Sequence, residues 1–128
     1  MCENRKFLKC NHCGNIAVLI EDKGAPLVCC GEKMSELIPN TVDASAEKHL
    51  PEVTLSDSGV NVQIGSVPHP MTEAHYISFV YIATEHGGQR KCLNAGDEPK
   101  VAFSFTDDKP VAVYAYCNLH GLWKTEIL

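Results

Sequence analysis

The sequence predicts a mostly β protein in two parts, a small metal-stapled cysteine knuckle followed by an antiparallel β-sandwich of immunoglobulin type. Cys10, Cys13, Cys29 and Cys30 gather in the first 37 residues, a length that cannot bury enough apolar surface to offset chain entropy without a staple. From residue 53 onward the apolar pattern has a period of two, broken by turn signals and by no helical stretch. That is the signature of about seven short, half-buried antiparallel strands. On this reading residues 1–37 form one domain and residues 38–128 the other.

In Cys10-Asn11-His12-Cys13-Gly14 the two-residue gap brings both sulfurs to one side of a tight turn, and Gly14 tolerates positive φ there. Residues 16–20 and 27–28 read as two short strands joined by a turn through Asp22-Lys23-Gly24-Ala25-Pro26, with thiols at both ends. The adjacent pair Cys29-Cys30 must bend to reach one ion, which predicts a distorted tetrahedron. Four thiolates suit zinc and iron equally.

Residues 38–52 are a connector that presents Glu47, Lys48 and His49 on a loop. Asp43 can cap a single helical turn, and Pro51 stops anything longer. Beyond it Val60, Val62 and Ile64 alternate with Asn61, Gln63 and Gly65, Val101, Phe103 and Phe105 with Ala102, Ser104 and Thr106, and Val111, Val113, Ala115 and Cys117 with Ala112, Tyr114 and Tyr116. Tyr76 to Thr84 is a longer apolar strand, with shorter candidates at 53–55, 90–94 and 122–127. Turns fall at Asp57-Ser58-Gly59, Val67-Pro68-His69-Pro70, His86-Gly87-Gly88, Ala95-Gly96-Asp97-Glu98-Pro99 and Asp107-Asp108-Lys109-Pro110.

Composition excludes several classes. With 45% apolar and 21% charged residues the chain is globular rather than disordered. The net charge of −5 falls on residues 38–128, because residues 1–37 carry five basic and five acidic side chains. An acidic main domain repels a phosphate backbone, so no nucleic-acid partner is expected. No apolar run approaches the ~20 residues of a membrane span, and the start of the chain leads into no signal-peptide core. We therefore expect a cytoplasmic protein. In a reducing compartment seven cysteines point to metal ligation rather than disulfides. Cys2 and Cys92 lack partners and receive no role.

A second ligand set is spread along the sandwich. His69 and His75 bracket one turn, while Cys117 and His120 share the turn before the last strand. With His49 from the connector, four imidazoles and one thiolate can converge on one ion. That is too many ligands for zinc and too much nitrogen for blue copper, but it suits ferrous iron. Four histidines in a plane with an axial thiolate leave the opposite position open, and the thiolate donates electron density through the metal. Amides of Leu119 and His120 would tune the sulfur. His12 and His86 read as structural or surface residues, Trp123 as packing, and Glu47-Lys48 taken alone as a solvated pair.

Taken together, Cys10-x-x-Cys13, Cys29-Cys30, Glu47-Lys48-His49-x-Pro51, His69-Pro70-Met71, His75 and Cys117-Asn118-x-His120-Gly121 resemble the desulfoferrodoxin family, the two-iron superoxide reductases. The resemblance covers nearly the whole chain. It implies a desulforedoxin-like, rubredoxin-related domain with iron on Cys10, Cys13, Cys29 and Cys30. It implies a second, catalytic iron on His49, His69, His75, His120 and Cys117 in the immunoglobulin-like domain, and a homodimer. The implied reaction is one-electron reduction of superoxide to hydrogen peroxide, with re-reduction by an external donor such as rubredoxin. Lys48 carries over as the charge that attracts superoxide and organises a protonating water, and Glu47 as the carboxylate that occupies the open position after product leaves. The rival readings are a non-catalytic iron electron-transfer protein and a zinc-knuckle module. A pure carrier has no use for Lys48 at an open iron face, and a zinc module would hold no iron.

Overall fold

The computed structural model describes residues 5–127, so Cys2 lies outside the described residues. Two compact units separate between Ile38 and Pro39. Nearly all regular structure is antiparallel strand, as the alternation predicts.

The small unit holds β1 (Phe7–Lys9), β2 (Ile16–Val18), β3 (Val28–Cys29), β4 (Glu32–Lys33) and β5 (Ser35–Glu36). The two expected strands, β2 and β3, do not pair with each other. β2 pairs with β1 in a sheet of order β2-β1-β5, and β3 pairs with β4. The cause is local: each cysteine pair lies at a turn that folds the chain straight back. Gly14 donates its N–H to the Cys10 carbonyl at 3.0 Å, and Cys10 donates to the Asn15 carbonyl at 2.9 Å. Cys30 and Gly31, with φ of 54° and 75°, form the two-residue β3–β4 turn, the mirror-image turn whose twist suits a hairpin. Placing Cys30 in the left-handed region, costly for a residue with a Cβ, is how two adjacent thiols reach one cluster. Phe7, Leu8 and Cys10 are the buried apolar residues described in this unit.

The larger unit opens with a single helical turn, α1 (Ala46–His49). Its N-cap is Ser45 rather than Asp43, and the cap uses no side-chain hydrogen bond. The Ser45 carbonyl is used instead, accepting from Lys48 N at 3.3 Å. Seven strands follow: β6 (Pro51–Leu55), β7 (Gly59–Ile64), β8 (Ile77–Thr84), β9 (Gly87–Cys92), β10 (Lys100–Ser104), β11 (Pro110–Cys117) and β12 (Gly121–Glu126). They form two sheets, β10-β7-β6 and β12-β11-β8-β9. Val60, Val62 and Ile64 of β7 meet Val80 and Ile82 of β8, Phe103 of β10, and Val113, Ala115 and Cys117 of β11 in one core. Each fully buried aliphatic side chain contributes about 1.5–3 kcal/mol, so this unit holds itself together.

Three local features differ from the sequence expectation. β9 begins at Gly87, and the turn lies at Glu85-His86. Gly88 belongs in the strand because the Tyr81 phenol lies across it, where a Cβ would collide with the hydroxyl. β11 is buried on both faces, not one, since Tyr116 stacks on Phe79 with ring centroids 5.6 Å apart. Finally, the β8–β11 register shifts between Tyr116 and Cys117. Tyr116 pairs with Phe79 but Cys117 with Ile77, leaving Ser78 as the extra residue of a bulge. Bulges re-aim side chains at the ends of ladders, and here Cys117 and Ile77 both join the core cluster.

Candidate metal centres

In the small unit the sulfurs of Cys10, Cys13, Cys29 and Cys30 lie within 4.8 Å of one another, and Cys13 Sγ is 3.6 Å from Cys29 Sγ. The amides of His12 and Cys13 both donate to Cys10 Sγ at 3.4 Å, which draws its pKa down to about 6. Hydrogen bonds from Cys10, Cys13 and Cys29 push Cys30 up to about 12, and Cys29 is raised chiefly by Cys13 and Cys10. Thiols this close resist ionising together unless a cation shares the charge. The donor set fits a tetrathiolate metal. His12 stays outside the cluster, paired with Glu32 across the two cysteine turns.

The second centre is built at one end of the sandwich. α1 carries His49, the β7–β8 connection carries His69 and His75, Cys117 ends β11, and His120 stands in the β11–β12 turn. His49 and His69 are both 2% exposed, and Cys117 is 0% exposed. The four imidazoles form a closed square of edge-to-face contacts. Centroid distances are 4.7 Å for His49–His69, 4.6 Å for His69–His75, 5.1 Å for His75–His120 and 4.9 Å for His120–His49. Across the square His49 and His75 are 6.2 Å apart. Cys117 Sγ lies 3.9 Å from His120 Nδ1.

Backbone carbonyls set the rings. Nδ1 of His49 meets the Ser45 carbonyl at 2.6 Å, and Nδ1 of His69 meets the Pro70 carbonyl at 2.6 Å. A ring N–H held this way leaves Nε2 as the free donor atom. Nε2 of His69 and Nε2 of His75 are buried with no hydrogen-bond partner among the described residues. His120 differs, since its Nδ1 is the atom that approaches His49 Nε2, at 3.1 Å. Burial lowers the pKa of His49, His75 and His69, the last to about 4. Neighbouring imidazoles and Lys48 push the same way at His49 and His75. The rings of His49, His69 and His75 are therefore neutral and open to a metal at pH 7. Burial raises the Cys117 thiol, while amides of Leu119 and His120 pull it down by hydrogen bonding. Unpaired buried ring nitrogens cost about 1–3 kcal/mol each, so this donor set also fits a cation. His49, His69, His75 and Cys117 bring their ligand atoms within 4.8 Å of one another, a nitrogen-rich, single-thiolate group, and His120 stands beside it with Nδ1 facing His49 and Cys117.

Glu47 and Lys48 are exposed on α1, directly before His49. Gly65 (φ 86°) fixes that turn, because a Cβ there would stand 2.6 Å from the Lys48 carbonyl oxygen. Ser66 Oγ and Val67 N both donate to the Glu47 carbonyl, at 3.2 and 3.1 Å. His86 lies in the β8–β9 turn, where its amide donates to Asp108, outside both metal groups. Cys92 is exposed at the end of β9. Sequence reasoning missed the carbonyls of Ser45 and Pro70, which carry no residue-type signal. It also placed Trp123 in packing alone, yet the indole stacks on His49 at 4.9 Å and donates to the His120 carbonyl at 3.1 Å.

Two family models match this chain: Desulfoferrodoxin over residues 41–126, and Desulfoferrodoxin, N-terminal domain, over residues 2–37. The desulfoferrodoxin of Syntrophotalea carbinolica is 41% identical over 126 residues, covering 98% of this chain and 99% of that one. That of Nitratidesulfovibrio vulgaris is 43% identical over 121 residues, covering 94% and 95%. The crystal structure of the superoxide reductase from Treponema pallidum superposes with a TM-score of 0.82 at 35% identity, covering 97% of this chain and 100% of that one.

Proposed function

The chain belongs to the desulfoferrodoxin family, and from that premise we infer that it is a superoxide reductase with two iron centres. The observation that carries this reading is the square of four imidazoles beside a buried thiol, with two buried ring nitrogens unpaired among the described residues. His49, His69, His75, His120 and Cys117 would hold a ferrous iron, which would supply the one electron that, with two protons, converts superoxide to hydrogen peroxide.

The protein's own residues do the rest. Lys48 provides the local positive charge that an anion needs on a chain of net charge −5, and it organises the water that delivers a proton. Glu47 would supply a carboxylate from the same turn as a further ligand for the metal. The carbonyls of Ser45 and Pro70 hold His49 and His69 with Nε2 inward, and the amides of Leu119 and His120 moderate the charge on Cys117.

The reading extends to a tetrathiolate iron on Cys10, Cys13, Cys29 and Cys30, with domains meeting near residue 38. It includes an external donor of the rubredoxin kind, a cytoplasmic setting and a homodimer. Val18, Ile20, Leu27 and Val28 are exposed apolar side chains on the small unit, which supports association between copies. Among the described residues no helix is long and apolar enough to cross a membrane.

The test is stoichiometry. Anaerobically reduced, iron-loaded protein mixed with superoxide is expected to give one peroxide per superoxide consumed and no oxygen. Oxygen release at half the superoxide consumed would identify dismutation, and absence of reaction would leave an electron carrier.

A further inference from the structure

Asn118 follows Cys117 directly, and its side chain reaches to the other ligand-bearing connection. Its Oδ1 accepts from Tyr76 N at 2.9 Å, and its Nδ2 donates to the Ala74 carbonyl at 3.0 Å. Its own backbone N–H donates to the Tyr76 carbonyl at 3.2 Å. Those three bonds grip the residues on either side of His75. They lie just beyond the bulge at which the β8–β11 ladder shifts register, where the amide side chain adds two bonds to the one made by the backbone.

His75 Nε2 is a buried atom with no hydrogen-bond partner among the described residues, whereas Nδ1 of His49 and Nδ1 of His69 each meet a backbone carbonyl. Within the His75 segment, the Thr72 N–H donates to the His75 carbonyl at 2.9 Å and the His75 N–H to Thr72 Oγ1 at 3.1 Å. We propose that Asn118 is a positioning residue that locks His75 to the Cys117–His120 turn, so that ligands from two separate connections keep one geometry. The chemistry requires an amide of this length. Aspartate keeps an acceptor for Tyr76 N but sets a carboxylate against the Ala74 carbonyl, and alanine offers neither group.

This inference rests on the reading of His49, His69, His75, Cys117 and His120 as an iron site. It is tested on the full-length iron-loaded protein with Asn118→Ala and Asn118→Asp. The readouts are loss of ferrous iron from the second centre to a competing chelator, and the ferric thiolate absorption and EPR line shape of that centre. The tetrathiolate chromophore serves as the internal control for folding. Loss of groups that orient metal ligands typically costs 10–100-fold in metal affinity. Asn118→Ala is expected to weaken iron binding about 10-fold with a broadened ferric signal, and Asn118→Asp to lie between it and wild type. If Asn118→Ala fails to fold, the comparison of Asn118→Asp with wild type decides alone. A variant that folds and matches wild type in affinity and spectrum overturns the positioning role. Wild-type protein without a second iron overturns the site reading and this inference together.

Discussion

The small unit and the sandwich answer the same problem, holding a metal between turns, in opposite ways. In the small unit strands of two or three residues lead into the cysteine turns, and among the described residues the buried apolar side chains are Phe7, Leu8 and Cys10. The metal there is the core. In the sandwich a continuous aliphatic core stands behind the site, and the histidines occupy loops at its rim. A metal there would sit on a scaffold that has an apolar core of its own. A metal that is needed for folding is poorly placed to change its ligands, whereas one on a preformed frame can keep a face open for a substrate.

Breaking this contrast begins with metal removal, the largest expected effect. Structural tetrahedral sites contribute about 10–16 kcal/mol in small metal domains, so Cys10→Ser or chelation is expected to abolish amide-exchange protection across β1–β5 while leaving the sandwich strands protected. Persistent protection in β1 and β2 without metal would show that the small unit has a core after all. Truncating the sandwich core comes next. Ile82→Ala is expected to cost about 2–5 kcal/mol in urea unfolding of the sandwich, with the tetrathiolate absorption unchanged below the transition.

The third effect is pH dependence of the metal-free sandwich. Folding lowers the pKa of His49, His69 and His75, so in mild acid the unfolded chain binds more protons than the folded one. Stability is expected to fall as pH drops from 7, with the slope from His69 ending below about 4. Denaturant midpoints that stay level across that range would contradict neutral, metal-ready imidazoles. The smallest effect sharpens the chemistry rather than the fold: Lys48→Ala is expected to slow the second-order reaction with superoxide about 3- to 10-fold at low salt, with the gap closing at high ionic strength. Equal rates at both salt concentrations would remove Lys48 from substrate attraction.

How much of this was legible in the sequence differs between the same two regions. Alternation at Val60-Val62-Ile64 and Val111-Val113-Ala115 identifies strands because one face of each is buried by the other sheet. Strands as short as β3 and β4 have no period to read, so their pairing emerged only in three dimensions. The bulge at Ser78 was hidden because it depends on the register of β8 against β11, not on either strand alone. In the site, residue types and shared turns separated His49, His69, His75 and His120 from His12 and His86. The square arrangement of rings was not readable, nor were the carbonyls of Ser45 and Pro70, since every residue has a carbonyl. Asn118 and Trp123 escaped for a related reason: their contacts are with backbone groups and rings brought near by folding.

The most direct measurement is an anaerobic, stepwise oxidation of the iron-loaded protein followed by absorption and EPR, on wild type and on Cys117→Ser. Two ferric thiolate chromophores at separate potentials are expected in wild type, with one lost in the variant and the tetrathiolate one retained. A single chromophore untouched by Cys117→Ser would contradict a second iron bound through Cys117, and with it the division between a metal that makes the fold and a metal that does the chemistry.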